Sequence, residues 1–187
     1  MTSNFKIIVM SKMNKLVFTI LNVLAWLIFV GLCIEAGGLL VNFIFSVFKP
    51  EVVGNLYQKL DLSKLFGQSE FVFYGMYGFV LFIAVLKAFL FYVVIALLLK
   101  LDLTKPFSSF VSKKISQISH LTFSIGIISF IAKRITESLL VQGFAVDKLS
   151  QFWVDSSAFI IMSAIIYIIS LIFKRGIELQ EESELTI

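Results

Sequence analysis

The amino-acid sequence predicts an all-α integral membrane protein: a four-helix bundle with both termini in the cytoplasm and long helices that extend past the bilayer. Composition is the first observation. Hydrophobic residues make up 59% of the chain and charged residues only 15%, whereas about a quarter of a water-soluble domain is charged. Hydropathy is the second, with a mean of +0.98. The third is that apolar residues gather in four stretches, each long enough to cross the roughly 30 Å of a bilayer's hydrocarbon core.

The four stretches predict spans within a single membrane domain that covers residues 1–187. Their expected limits are about 16–36 (or 16–48), 71–100, 115–145 and 152–174. The first stretch follows three lysines, as the apolar part of a signal peptide does, but it far exceeds the roughly 7–15 apolar residues of that type of segment. We therefore expect it to be a retained anchor.

The distribution of Lys and Arg predicts the orientation, because cytoplasmic ends of spans carry more of them. Nine of these residues lie in the N-terminal tail, the second-to-third connection and the start of the C-terminal tail, against six in and near the other two loops. Four spans with both termini in the cytoplasm fit this distribution. The lipid bilayer is thus the first expected partner.

The connections between the spans also carry signals. Lys49-Pro50 ends the first helix, since proline lacks a backbone donor and restricts the residue before it. The outer segment that follows, to Glu70, leaves two interpretations open: a short helix in the interface with Leu56, Leu60, Leu65 and Phe66 toward lipid, or a loop whose apolar residues cap the bundle. Residues 109–120 predict an amphipathic helix at the inner surface. Gly176 either breaks the last helix or lies within a helix that continues into the cytoplasm.

Two segments carry a family resemblance. The C-terminal tail, residues 175–187, follows Phe173-Lys174 and reads Arg-Gly-Ile-Glu-Leu-Gln-Glu-Glu-Ser-Glu-Leu-Thr-Ile, and the second-to-third connection contains Leu103-Thr-Lys-Pro-Phe-Ser108. They are similar to the closing motif and the proline-phenylalanine turn of domain-of-unknown-function family 2975, small four-span bacterial membrane proteins. The chain departs from the family pattern at Ser183 and Lys105.

The resemblance implies a bacterial inner-membrane protein without an assigned activity. Members often occur beside a small helix-turn-helix regulator, which implies a cytoplasmic regulatory protein as a partner. The turn motif is Pro106 and Phe107. The residues expected to bind the partner are those of the tail: Arg175, Gly176, Glu178, Leu179, Glu181, Glu182, Leu185, Thr186 and Ile187.

Charged residues within the apolar stretches form a second candidate site, because ionisable groups in a membrane are costly and often functional. The set contains three cations and three anions: Glu35, Lys87, Lys133, Arg134, Glu137 and Asp155. Lys87 lies thirteen residues before Lys100, about 20 Å into the membrane, and we expect it to pair with Glu35 or, second, Asp155. The set is interpreted either as a structural ion-pair network or as a polar cavity, open to the outside, for a small ligand or lipid headgroup.

The motifs of familiar enzymes are absent from the sequence. HExxH, paired cysteines, a glycine-rich phosphate loop and G-x-S-x-G do not occur. We expect no enzymatic activity, no metal and no cofactor, and no direct binding of nucleic acid. The favoured function is a regulatory or sensory membrane partner of a cytoplasmic protein. The alternatives are binding or transport of a small molecule, lipid or peptide, an immunity-like role included, and a structural subunit of a larger complex. A channel would require a homo-oligomer.

Overall fold

The computed structural model of the chain describes residues 2–102 and 107–184, and within these ranges the side chains of residues 16–182. The described residues form helices and no β-strand. The α-helices are α1 (Thr2–Phe48), α2 (Ser63–Gln68), α3 (Glu70–Lys100), α4 (Ser109–Val141) and α5 (Ser156–Glu184). Three 3₁₀ segments join them, at Pro50–Asn55, Tyr57–Lys59 and Asp147–Phe152. The all-helical prediction is confirmed.

Four helical regions are long and apolar enough to cross a membrane. They are Leu16–Phe48, Glu70–Lys100, Ser109–Val141 and Asp147–Glu182. The first runs through Glu35 without a break, and α5 runs through Gly176 to Glu184. The segment expected to be an amphipathic surface helix is the first third of α4. The helices therefore continue beyond the purely apolar stretches, as the sequence predicts.

Local signals explain where the helices begin and end. The hydroxyl groups of Ser69 and Ser108 accept hydrogen bonds from the backbone N–H groups of the third residues after them, which are 3.3 Å away in both cases, at the starts of α3 and α4. α4 ends at Val141 and is followed by Gly143, whose φ of +86° is readily adopted only by glycine. The N–H of Phe144 then bonds to Leu139 O at 3.0 Å, which closes the last turn as a Schellman motif.

The long helices pack in chain order: α1 against α3, α3 against α4, and α4 against α5. In the described part of the chain α1 makes no backbone contact with α4 or α5, so the bundle is open on that side. Consecutive long helices are antiparallel. Tyr77 Oη donates to Leu39 O at 3.2 Å and Tyr74 Oη to Ser46 O at 3.1 Å, while Ser119 Oγ donates to Ser163 O at 3.0 Å.

The antiparallel order gathers the two predicted outer segments at one end of the bundle. We call residues 49–69 and 142–155 together the cap. Gln68 joins its two parts, donating from Nε2 to Gly143 O at 2.9 Å and accepting at Oε1 from Ala145 N at 2.8 Å. Lys148 Nζ also donates to Asp61 O at 3.1 Å. The cap thus ties the loop after α1 to the loop after α4.

The apolar residues of the first cap segment lie inside the protein. Leu56, Leu60 and Leu65 are 2%, 7% and 0% exposed, and they belong to one core with Phe73 and Tyr77 of α3. The interpretation as an interfacial helix with these leucines toward lipid is therefore wrong, and the capping interpretation is confirmed. The physical reason is that α3 and α4 present aromatic and aliphatic side chains at this end. When the leucines cover these side chains, both sets of apolar groups are removed from polar surroundings.

Candidate functional sites

The first candidate site joins the two motifs of the family resemblance. The ring of Phe107, before α4, lies against Gly176 of α5 and 5.3 Å, centroid to centroid, from the ring of Phe173. A Cβ atom added at Gly176 would lie 2.6 Å from two atoms of the Phe107 ring. Any larger residue at position 176 would therefore require the Phe107 ring to move. We call Phe107, Phe173 and Gly176 the motif junction. Pro106 lies outside the described residues.

A groove of about 300 Å³ lies beside the motif junction, between the first turn of α4 and the end of α5. Its lining combines hydroxyl, cationic and apolar groups: Ser109, Ser112, Lys113, Lys174, Ile177 and Glu178. Beyond it, Arg175 Nη1 pairs with Glu178 Oε2 at 2.8 Å, one turn along the helix. Leu179, Glu181 and Glu182 are exposed, while Leu185, Thr186 and Ile187 lie outside the described residues. The end of α5 is thus an exposed, acidic helix.

The second candidate site was expected to bring six charged residues together, and the structure does not gather them. Glu35 and Lys87 are half-buried, on α1 and α3; Lys133, Arg134, Glu137 and Asp155 are exposed. Arg134 Nη1 pairs with Glu137 Oε2 at 3.1 Å within α4. Among the described residues, the other ion pairs are Asp61–Lys148 and Arg175–Glu178. A single balanced network is therefore absent from this part of the chain.

The expected ion pair of Lys87 is not formed. Its Nζ lies 5.7 Å from the centroid of the Phe159 ring on α5, and neither Glu35 nor Asp155 is within pairing distance. The helix turns about 100° per residue, so Lys87 points about 140° away from Tyr92, which touches Phe29 of α1. Glu35 is on α1, on the other side of α3. Counting residues along the sequence predicts how deep Lys87 lies in the membrane, but it does not predict on which side of α3 each neighbouring helix packs.

Two members of the predicted polar set do meet at a cavity of about 180 Å³ below the cap, which we call the cap cavity. Lys133 and Glu137 line it together with Thr136, Leu140, Ser150, Trp153 and Val154. Thr136 and Trp153 are each 2% exposed. The hydroxyl of Thr136 donates to Ala132 O at 2.8 Å, and its lone pairs remain available. Polar groups therefore reach a pocket with largely aliphatic and aromatic walls.

Trp153 lies near the end of a predicted span, where a tryptophan often belongs to the aromatic belt of a membrane interface. The indole is instead buried, and its Nε1 has no hydrogen-bond partner in the described structure. Ser156 Oγ, three residues later, is also buried and unpartnered. A sequence signal does exist for the serine. Ser156, Ser163 and Ser170 recur every seventh residue, and all three are buried.

The cap carries one carboxylate in a specific polar setting. Asp61 Oδ1 accepts from Ser63 Oγ at 2.6 Å and from Ser63 N at 3.0 Å. These hydrogen bonds, together with the nearby charge of Lys148, hold the pKa of Asp61 below its ordinary value. In the described residues no three His, Cys, Asp or Glu side chains are grouped as a metal site would require.

Comparisons with known proteins add no relatives. The chain matches none of the protein-family models, and the searches of curated proteins and of solved structures find no significant similarity.

Proposed function

We propose that this chain is a multi-pass protein of the bacterial cytoplasmic membrane that acts as the regulatory partner of a cytoplasmic helix-turn-helix protein. In this proposal the cap faces outward, and the motif junction and the end of α5 face the cytoplasm. The observation that carries the docking role is the contact of Phe107 with Gly176. It gives two motifs that are 69 residues apart one shared surface.

Exposed apolar side chains support insertion in a membrane. α1 exposes large hydrophobic residues around most of its circumference between Leu16 and Phe48, and α5 does so from Ile161 to Ile172. A soluble protein rarely leaves contiguous apolar patches of more than a few hundred Å² uncovered. The 31 residues of α3 span about 46 Å, which exceeds the roughly 30 Å hydrocarbon core. Lipid is therefore the surrounding that these surfaces suit.

Charge and helix geometry support the docking surface. α5 continues as a helix past Lys174 to Glu184, so its exposed acidic turns would project from the membrane rather than lie on it. The contact of Phe107 with Gly176 fixes this extension against the start of α4. A partner with a basic groove would recognise Glu178, Glu181 and Leu179 in one geometry.

The test is co-purification with a small cytoplasmic helix-turn-helix regulator that is expressed together with this chain. A photocrosslinking residue at Glu181 should capture the regulator from native membranes. Gly176→Leu should reduce capture at least tenfold, because the new side chain collides with the Phe107 ring. Gly37→Leu is the matched control, since nothing lies within 4 Å of a Cβ at Gly37. Co-purification of the regulator that survives removal of residues 178–187 would contradict the proposal.

A second function, binding or transport of a small molecule, lipid or peptide, is favoured by the cap cavity. Its volume of about 180 Å³ suits a small ligand rather than a peptide, because a water molecule occupies about 30 Å³ in the liquid.

A further inference from the structure

The cap cavity lies between the last turns of α4 and the chain that leads into α5. We propose that it binds the phosphate-bearing headgroup of a phospholipid from the leaflet on the cap side. The inference requires insertion in a membrane but is independent of docking at the motif junction. Three features of the described residues lead to it: an unpartnered indole donor in the lining, an unpaired cation, and the depth of the cavity along α4.

A buried polar group in the lining calls for an acceptor. The indole of Trp153 lines the cavity, and its Nε1, in a side chain that is 2% exposed, donates to no group in the described structure. An indole N–H is only a donor, and a buried donor without a partner destabilises the protein. An oxygen-rich ligand beside the indole would provide the missing acceptor.

The cation selects a negative ligand. Lys133 and Glu137 are four residues apart on α4, a spacing at which side chains usually pair. Glu137 is bound instead by Arg134 at 3.1 Å, and Lys133 has no carboxylate within 4.0 Å among the described residues. The wall therefore offers a free ammonium group and the indole of Trp153, a combination that suits a phosphate oxygen.

Depth and surroundings identify the ligand as a lipid. Lys133 lies nineteen residues after Lys114 on α4, about 28 Å along the axis, which is close to the thickness of the hydrocarbon core. The neighbouring surface is apolar and exposed, with Val141 and Val154 at 90% and 67%. A cavity of about 180 Å³ holds a headgroup but not a whole lipid, so the acyl chains would lie along this surface.

The test uses the full chain in a maltoside detergent, which contains no phosphate. The variant Trp26→Phe leaves Trp153 as the sole tryptophan, and its fluorescence is followed during titration with short-chain phosphatidylglycerol, with glycerol phosphate and with inorganic phosphate. We expect a saturable change with the lipid at concentrations at least tenfold below those required for either soluble phosphate. In the same background Lys133→Gln should weaken lipid binding about tenfold, while Lys64→Gln, an exposed cap lysine outside the cavity, should not.

A second readout covers variants that could misfold. Lipid adducts are counted by native mass spectrometry for the unsubstituted chain, Lys133→Gln and Trp153→Phe, and both variants must elute as the unsubstituted chain does in gel filtration. Trp153→Phe retains an aromatic ring but removes the donor, and it should lose the tightest adduct. If inorganic phosphate binds as tightly as the lipid, the proposal that the ligand is a phospholipid is wrong. A fluorescence change that does not saturate with added lipid, or lipid adducts that persist in both Lys133→Gln and Trp153→Phe, would contradict binding at the cap cavity.

Discussion

Lys87 shows at the scale of one residue how an apolar helix can retain a cation when no carboxylate of the described residues lies within pairing distance. Its ammonium group faces the ring of Phe159 at 5.7 Å, a cation–π contact of about 0.5–1 kcal/mol at exposed sites and more where water is excluded. A lysine at the centre of a span costs about 2.5–3.5 kcal/mol on insertion scales. The contact with Phe159 therefore offsets only part of the cost.

Replacing this lysine gives the first prediction. Lys87→Met retains the length of the side chain and removes the charge, so the free energy of unfolding should stay the same or rise by up to about 2 kcal/mol. Unfolding in mixed micelles by increasing SDS measures it, with Lys64→Met as an exposed control. A loss of more than about 1 kcal/mol would indicate that Lys87 has a charged partner after all.

Gly126 gives the second prediction, because it sets the closest approach of α4 and α5. A Cβ at this position would lie 2.9 Å from the backbone N of Ile160 and 2.7 Å from its Cγ1. Gly126→Ala should therefore separate the helices and destabilise the protein by about 1–3 kcal/mol. Gly78→Ala meets nothing within 4 Å and should be neutral or stabilising by up to about 1 kcal/mol. Thermal unfolding in detergent compares them, and equal effects would contradict this packing.

Many side-chain contacts depend on how each helix is rotated about its own axis. In this chain the sequence predicts that rotation poorly. The depth of Lys87 follows from counting residues, but its facing Phe159 rather than Glu35 depends on which helices are neighbours. In apolar helices with almost no polar face, the periodicity that would reveal the buried side is absent. The burial of Trp153 has the same origin, since a tryptophan at a span end suits lipid and core equally well.

At the scale of elements, Gln68 acts as a clamp between the two parts of the cap. Its amide donates to Gly143 O and accepts from Ala145 N. We predict that Gln68→Ala lowers the free energy of unfolding by about 1–2 kcal/mol through the two lost hydrogen bonds. The matched control is Gln151→Ala, since Gln151 donates only to Lys148 O, three residues away. SDS titration of both variants tests the clamp, and equal effects would count against it.

Asp61 gives the cap a dependence on pH. Because its pKa is held below the ordinary value, chiefly by the hydrogen bonds from Ser63, its carboxylate stabilises the folded state above the unfolded pKa of about 3.9. That contribution decreases as the pH falls through the lowered folded pKa. Asp61→Asn should therefore be less stable than the parent at pH 7, with a gap that narrows below about pH 4. Melting temperatures of both proteins across this range measure the gap, and a gap that widens in acid would contradict the assignment.

The cap is the part of the fold whose conformation could not be predicted from the sequence. The long helices and their order can be predicted from the apolar stretches and from Pro50. The conformation of the cap depends on short 3₁₀ segments and on two non-glycine residues, Gln58 and Lys59, with φ values of +57° and +59°. A residue other than glycine adopts this left-handed conformation only when the surrounding packing requires it. Leu56, Leu60 and Leu65 provide that packing, which no local pattern identifies.

At the scale of the whole molecule, the open row of helices separates two functions in space. The motif junction and the acidic end of α5 lie at one end, and the cap with its cavity lies at the other. α4 and α5 connect both ends and pack closely through Gly126 and the buried serines. In the proposed orientation, a headgroup bound below the cap and a protein bound at the junction would occupy opposite sides of the membrane.

The most direct test of the account is the sidedness of these two ends. In a Cys33→Ser background, single cysteines at Lys59 in the cap and at Glu181 in α5 are exposed to a membrane-impermeant maleimide. Intact bacterial cells with a permeabilised outer membrane should label Lys59→Cys fully, and Glu181→Cys only after the inner membrane is disrupted. Labelling of both cysteines from the outside, protection of the cap, or a chain that stays in aqueous solution without detergent would contradict it.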